Sequence, residues 1–178
     1  MRKLTLLTLL LVLSCNTFAQ RMSFSDFLSL VKLTVDDPNY PVMGINDYLI
    51  KNSEDWSKPS KTETEGTIAI TWPYMVSNAQ LGFFTATFEP IKTANGKARY
   101  RQKATLAFPY KEQYDEYLTD VSANASLANS FTSGGDIYRI YNSLHYTWTF
   151  IIVPASTKQF YMDGLPAEGY MVEVHQKH

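Results

Sequence analysis

The residues best suited to proton transfer or metal binding are the three histidines, His145, His175 and His178. His145 falls in an aromatic stretch beside Thr147 and Thr149, and it reads as a hydrogen-bonded strand histidine rather than a general base. His175 and His178 close the chain, where a fraying end gives a metal ion no fixed geometry. No His-x-x-x-His or His-Glu pair occurs, so the helical zinc motif is missing. The single cysteine, Cys15, lies in the apolar start of the chain. A chain processed beyond it has no thiol for nucleophilic, iron–sulfur or zinc chemistry.

Hydroxyl and carboxylate chemistry has little more to stand on. No Gly-x-Ser-x-Gly elbow is present, which removes the α/β-hydrolase route. Ser133-Gly134-Gly135-Asp136 holds the one Gly pair. With no helix after it, a tight turn fits better than a phosphate cradle. Asp36-Asp37 beside Pro38 reads as a turn rather than as paired catalytic acids. Asn124-Ala125-Ser126 spells a glycosylation sequon, which a bacterial source would leave without meaning. No catalytic, cofactor-binding or metal-binding set is therefore assigned, and no cofactor is expected.

Two features rise above this background. Between Glu89 and Glu112 there is no acid, while Lys92, Lys97, Arg99, Arg101, Lys103 and Lys111 supply six cations. The alternation of Lys97, Arg99, Arg101 and Lys103 puts them on one strand face, a candidate surface for an anionic partner. The plainer reading is a solvated or edge face, where charge discourages strand-to-strand aggregation. The second feature is the run of aromatic residues from Tyr138 to Tyr161. Tyr146, Trp148 and Phe150 are expected to share a face with Leu144 and Ile152, which favours core over a carbohydrate or peptide groove.

These residues need elements to position them. Ser23 can cap a helix with Asp26 in its first turn, and Phe24, Phe27, Leu28 and Val31 form its apolar stripe. A shorter helix is expected over Ile45 to Lys51, followed by a polar loop from Asn52 to Glu65. Alternation predicts strands through Ile68–Trp72 and Phe84–Phe88, the latter closed by Pro90. Asn95-Gly96 signals a hairpin turn into a strand over Arg99–Phe108. A third helix is expected after Pro109, with Tyr110, Tyr114, Tyr117, Leu118 and Val121 on one side. A Ser/Ala/Asn-rich loop follows, then strands at Asp136–Tyr141, Leu144–Val153, Gln159–Met162 and Tyr170–His175.

The chain has 178 residues, 45% hydrophobic and 19% charged, enough for one domain with a real core. Twelve Tyr, ten Phe and three Trp exclude a disordered tail, and a net charge of −1 argues against a nucleic-acid partner. Arg2-Lys3, the Leu4–Leu13 run and Ser14–Ala19 follow the order of a secretory signal. That run is too short for a transmembrane helix, which needs about 20 residues. Thr17 and Ala19 favour cleavage before Gln20, leaving residues 20–178 as one domain. Removing Arg2 and Lys3 from the 16 cations leaves 14 against 17 acids, a formal charge of −3. A competing reading makes Val12-Leu13-Ser14-Cys15 a lipobox, with Cys15 lipidated in the envelope.

An internal likeness links residues 23–95 and 109–163. With an offset of 69, Tyr48 falls on Tyr117, Gly66 on Gly135 and Trp72 on Tyr141. A turn shortened by five residues then puts Phe84 on Trp148. One helix with a few strands cannot cover its own apolar face, whereas two such units together can. The Phe18-Ala19-Gln20 ending and these paired units resemble small secreted or envelope proteins of Bacteroidota-type bacteria with no assigned activity. That resemblance implies location and nothing about catalysis.

The expected fold is α+β, with an antiparallel sheet or two and two to three helices packed on one face. The expected function is a non-enzymatic secreted or periplasmic protein that binds a protein or envelope component through its sheet or loops. The alternatives are an envelope lipoprotein anchored at Cys15, or a hydrolase assembled from scattered Asp, Glu, Tyr and His145.

Overall fold

The computed structural model describes residues 22–36, 42–76, 78–91, 99–153, 161–162, 165–166 and 169–177. The expected processing site, Cys15, the expected Asn95-Gly96 turn, Lys97, Pro154 and His178 lie outside them.

Helix α1 spans Phe24–Val31, and Ser23 Oγ caps it by accepting the Asp26 N–H at 3.1 Å. Phe27, Leu30 and Val31 are buried on its inner side. The helix does not stop at Val31 but continues as a π-helical turn over Lys32–Asp36. There the Thr34 hydroxyl donates to the Leu30 carbonyl at 2.8 Å. Helix α2 covers Val42–Asn52 and buries Ile45 and Leu49. Helix α3 covers Lys111–Asn124, with Tyr114, Tyr117 and Val121 buried at helical spacing.

The strands are β1 (Ser60–Thr64), β2 (Thr67–Val76), β3 (Ala79–Ile91), β4 (Arg99–Phe108), β5 (Ala125–Ser133), β6 (Asp136–Ser143), β7 (Trp148–Val153), β8 (Tyr161–Met162), β9 (Leu165–Pro166) and β10 (Tyr170–Gln176). Eight of them form one sheet in the order β1-β2-β3-β4-β10-β7-β6-β5, while β8 and β9 pair separately. Every pairing is antiparallel. Among the described residues the fold is thus α+β, an eight-stranded antiparallel sheet with three helices. No described helix is long and apolar enough to cross a membrane.

Register explains where the core sits, because directly opposed residues project from the same face. Ile70, Ala86, Ala104, Val174, Phe150 and Tyr141 form one transverse row. Trp72, Phe84, Leu106, Val172 and Ile152 form the next. All eleven are buried. Phe24 of α1 lies 6.2 Å from the Phe150 ring, and Tyr117 of α3 meets Phe108 edge-on at 5.4 Å. The Tyr117 hydroxyl donates to the Met22 carbonyl at 2.7 Å, tying α3 to the start of α1.

Several local expectations need correction. The supposed loop from Asn52 to Glu65 contains β1, and the Ser/Ala/Asn-rich loop is β5. Both are edge strands with exposed residues throughout, save Ala125, so neither shows alternation. Pro90 does not end β3 but pairs with Tyr100 inside it. Pairing of β3 with β2 stops at Ile68–Phe88, so the missing N–H is tolerated at a one-sided position. Strand β7 starts only at Trp148, and Leu144 and Tyr146 are exposed rather than core. Asp36 ends the helical turn instead of opening a loop, and it accepts from Trp148 Nε1 at 2.7 Å.

Candidate functional site

The alternate rows of the sheet project from the face opposite the buried rows. One holds Thr71, Thr85, Thr105, Glu173, Ile151 and Ile140. Its neighbour holds Ala69, Thr87, Lys103, His175, Thr149 and Asn142. Hydroxyls meet directly, with Thr71 Oγ1 and Thr85 Oγ1 at 2.9 Å. At the centre, Glu173 Oε2 is 2.9 Å from His175 Nε2, and its Oε1 is 3.6 Å from Lys103 Nζ. Burial alone would raise the Glu173 carboxyl. The His175 hydrogen bond and the Lys103 charge outweigh it and hold the group below its ordinary range.

Arg99, Arg101 and Lys103 do share this face, since they alternate along β4. By order β4 is an interior strand, between β3 and β10. Its pairing with β10 begins at Lys103, however, so Arg99 to Gln102 run beside β3 alone. Arg99 and Arg101 are exposed there. Arg101 NH1 lies 3.7 Å from Glu89 Oε2, a pair with both side chains roughly half exposed. Lys103 is more enclosed and turned toward Glu173. Lys97 falls outside the described residues.

His145 sits on an exposed bend between β6 and β7, not in a strand. Its backbone N–H donates to Ser143 Oγ at 3.4 Å. The histidine that meets a carboxylate is His175, which is held in β10 between β4 and β7 rather than fraying. The signal was present in Met171-Val172-Glu173-Val174-His175, where alternation already puts Glu173 and His175 on one face. Ser133-Gly134-Gly135 is the β5–β6 turn as expected, with Gly134 and Gly135 at φ of 62° and 95°. Among the described residues, no group of three or more His, Cys, Asp or Glu could hold a metal ion.

A cavity of about 160 Å³ opens between the start of α1, the end of α2 and the ends of β2, β3 and β4. Asp26, Tyr48, Asn52, Trp56, Tyr74 and Tyr110 contribute to its wall. Asp26 Oδ1 accepts from the Tyr48 hydroxyl at 2.9 Å, and Oδ2 accepts from Ser23 Oγ at 2.6 Å. The Tyr74 hydroxyl donates to Asp55 at 3.3 Å, and the Trp56 and Tyr74 rings meet edge-on at 5.1 Å. Burial raises both the Tyr48 and Tyr74 hydroxyls, so each stays a neutral phenol. The wall draws on helices and strands far apart in the chain, and no local motif announces it.

No family model matches the chain, and neither curated proteins nor solved structures give a match.

Proposed function

We propose that this chain is a non-enzymatic secreted or periplasmic protein that binds an acidic partner across the sheet face bearing Arg99, Arg101 and Lys103. The observation that carries the reading is the overhang of β4. Arg99 and Arg101 stand exposed, in line, beside a strand end that β10 leaves uncovered. In this reading the three helices form one layer on the buried rows, so the opposite face is left for the partner. Complementary charge would steer the encounter and set register more than it would add affinity.

The same reading treats the sheet as two duplicated units. From either edge toward the centre, the order runs β1-β2-β3-β4 and β5-β6-β7-β10. Both outer hairpins turn through two positive-φ residues, Glu65-Gly66 and Gly134-Gly135. Trp72 and Tyr141 are both buried, but Trp72 opposes Phe84 across its hairpin whereas Tyr141 opposes Phe150, so register matches Phe84 with Phe150 and not with the expected Trp148.

A pull-down from a native envelope fraction, repeated with Arg99→Glu/Arg101→Glu, tests the proposal. An envelope component retained by the wild type and lost by the double variant is expected. Detergent partition separates the aqueous form begun at Gln20 from a Cys15-anchored one. One observation favours a hydrolase as the second reading, the contact of His175 with Glu173 rather than any setting of His145. Hydrolysis of a generic ester that disappears in His175→Ala would replace the binding proposal.

A further inference from the structure

The cavity beside α1 and α2 has a chemical bias independent of the basic strand. Among the described residues its wall includes the rings of Tyr48, Trp56, Tyr74 and Tyr110 and one carboxylate, Asp26, and no Lys, Arg or His. Several donors on that wall are turned toward protein acceptors. Tyr48 donates to Asp26, Tyr74 and Ser53 to Asp55, the Asn52 amide to the Tyr48 carbonyl, and the Gln113 amide to the Met22 carbonyl. The amide oxygens of Asn52 and Gln113 and the remaining lone pairs of Asp26 are acceptors.

An anionic ligand would face Asp26 with no compensating cation among the described lining residues. Aromatic faces attract cations through the negative centre of the ring, and desolvation strengthens that attraction. The volume suits a small headgroup, since about five water-sized groups would fill it. We propose that this cavity binds a small organic cation, an alkylammonium group set against Asp26 and the Trp56 and Tyr74 rings.

Calorimetric titration of the full chain tests this with choline, butylamine, the neutral isostere 3,3-dimethylbutan-1-ol, and butyrate. At least one cation should bind ten times or more tighter than the isostere and butyrate. Asp26→Asn and Trp56→Leu should each weaken the cation at least tenfold. Because Asp26 also supports the α1 cap, Trp56→Leu carries the test if the first variant does not fold. Phosphatidylcholine vesicles distinguish the source. Vesicle capture that choline competes away assigns a lipid headgroup, and choline binding without capture assigns a free amine. Cations that bind no tighter than the isostere, or that ignore both substitutions, would overturn the proposal.

Discussion

The indole of Trp148 donates to the carboxylate of Asp36 at 2.7 Å, joining β7 to the helical turn that ends the first helix, 112 residues away in the chain. Trp72 makes the parallel contact, its Nε1 donating to Asn46 Oδ1 at 3.3 Å. Both indoles are fully buried, so each N–H depends on a helix side chain for its partner. These bonds fix how the N-terminal helices meet the sheet.

Asp36→Ala should therefore leave the Trp148 N–H buried without its acceptor. The expected cost is about 1–3 kcal/mol, the desolvation penalty of an unsatisfied group. Asp36→Asn keeps a carbonyl oxygen and should cost less. Urea unfolding of the two variants checks the order. Equal losses would assign the effect to helix termination rather than to the bond.

Gly82 has a separate constraint. A Cβ there would fall 2.5 Å from the Ala107 carbonyl oxygen, a backbone atom that cannot swing aside. Gly82→Ala must push β3 away from β4 and should destabilise by about 1–3 kcal/mol, as overpacking does. Thermal unfolding gives the value, and an unchanged midpoint would contradict the close approach.

The Glu173 carboxyl predicts an acid response. Its folded pKa lies below the ordinary 4.5 because His175 and Lys103 outweigh its burial. The unfolded chain thus holds more protons between those two values. The associated stability is present above the ordinary carboxylate range and is lost as pH falls through the folded value. From about pH 6 to about pH 3, the wild-type melting midpoint should drop more steeply than that of Glu173→Gln. Parallel slopes would contradict the assignment.

The elements that bury one face were legible in the sequence. Phe88 and Val174 sit between polar residues, Trp72, Phe84 and Phe150 each have one polar neighbour, and α3 shows its stripe through Tyr114, Tyr117 and Val121. The edge strands were not legible, because Ser60–Thr64 is exposed throughout and Ala125–Ser133 nearly so, and a strand without a buried face has no period. Tyr146 misled for a different reason. Its ring stacks on Trp148 at 4.1 Å from an exposed bend, so it sits near the core without being strand or core. The facing of Arg99, Arg101 and Lys103 followed from alternation alone, whereas the overhang that exposes the first two depends on where β10 pairs.

The most direct measurement is the binding of wild type and Arg99→Glu/Arg101→Glu to the captured partner at low and high salt, beside a thermal melt of each. Both side chains are exposed on the β4 overhang, so stability should change by no more than about 0.5 kcal/mol per site. Binding by the double variant should fall sharply at low salt. The difference should shrink at high ionic strength, because the Debye length is about 8 Å at 0.15 M and about 3 Å at 1 M. A double variant that folds normally and binds as tightly as the wild type at low salt would contradict the account.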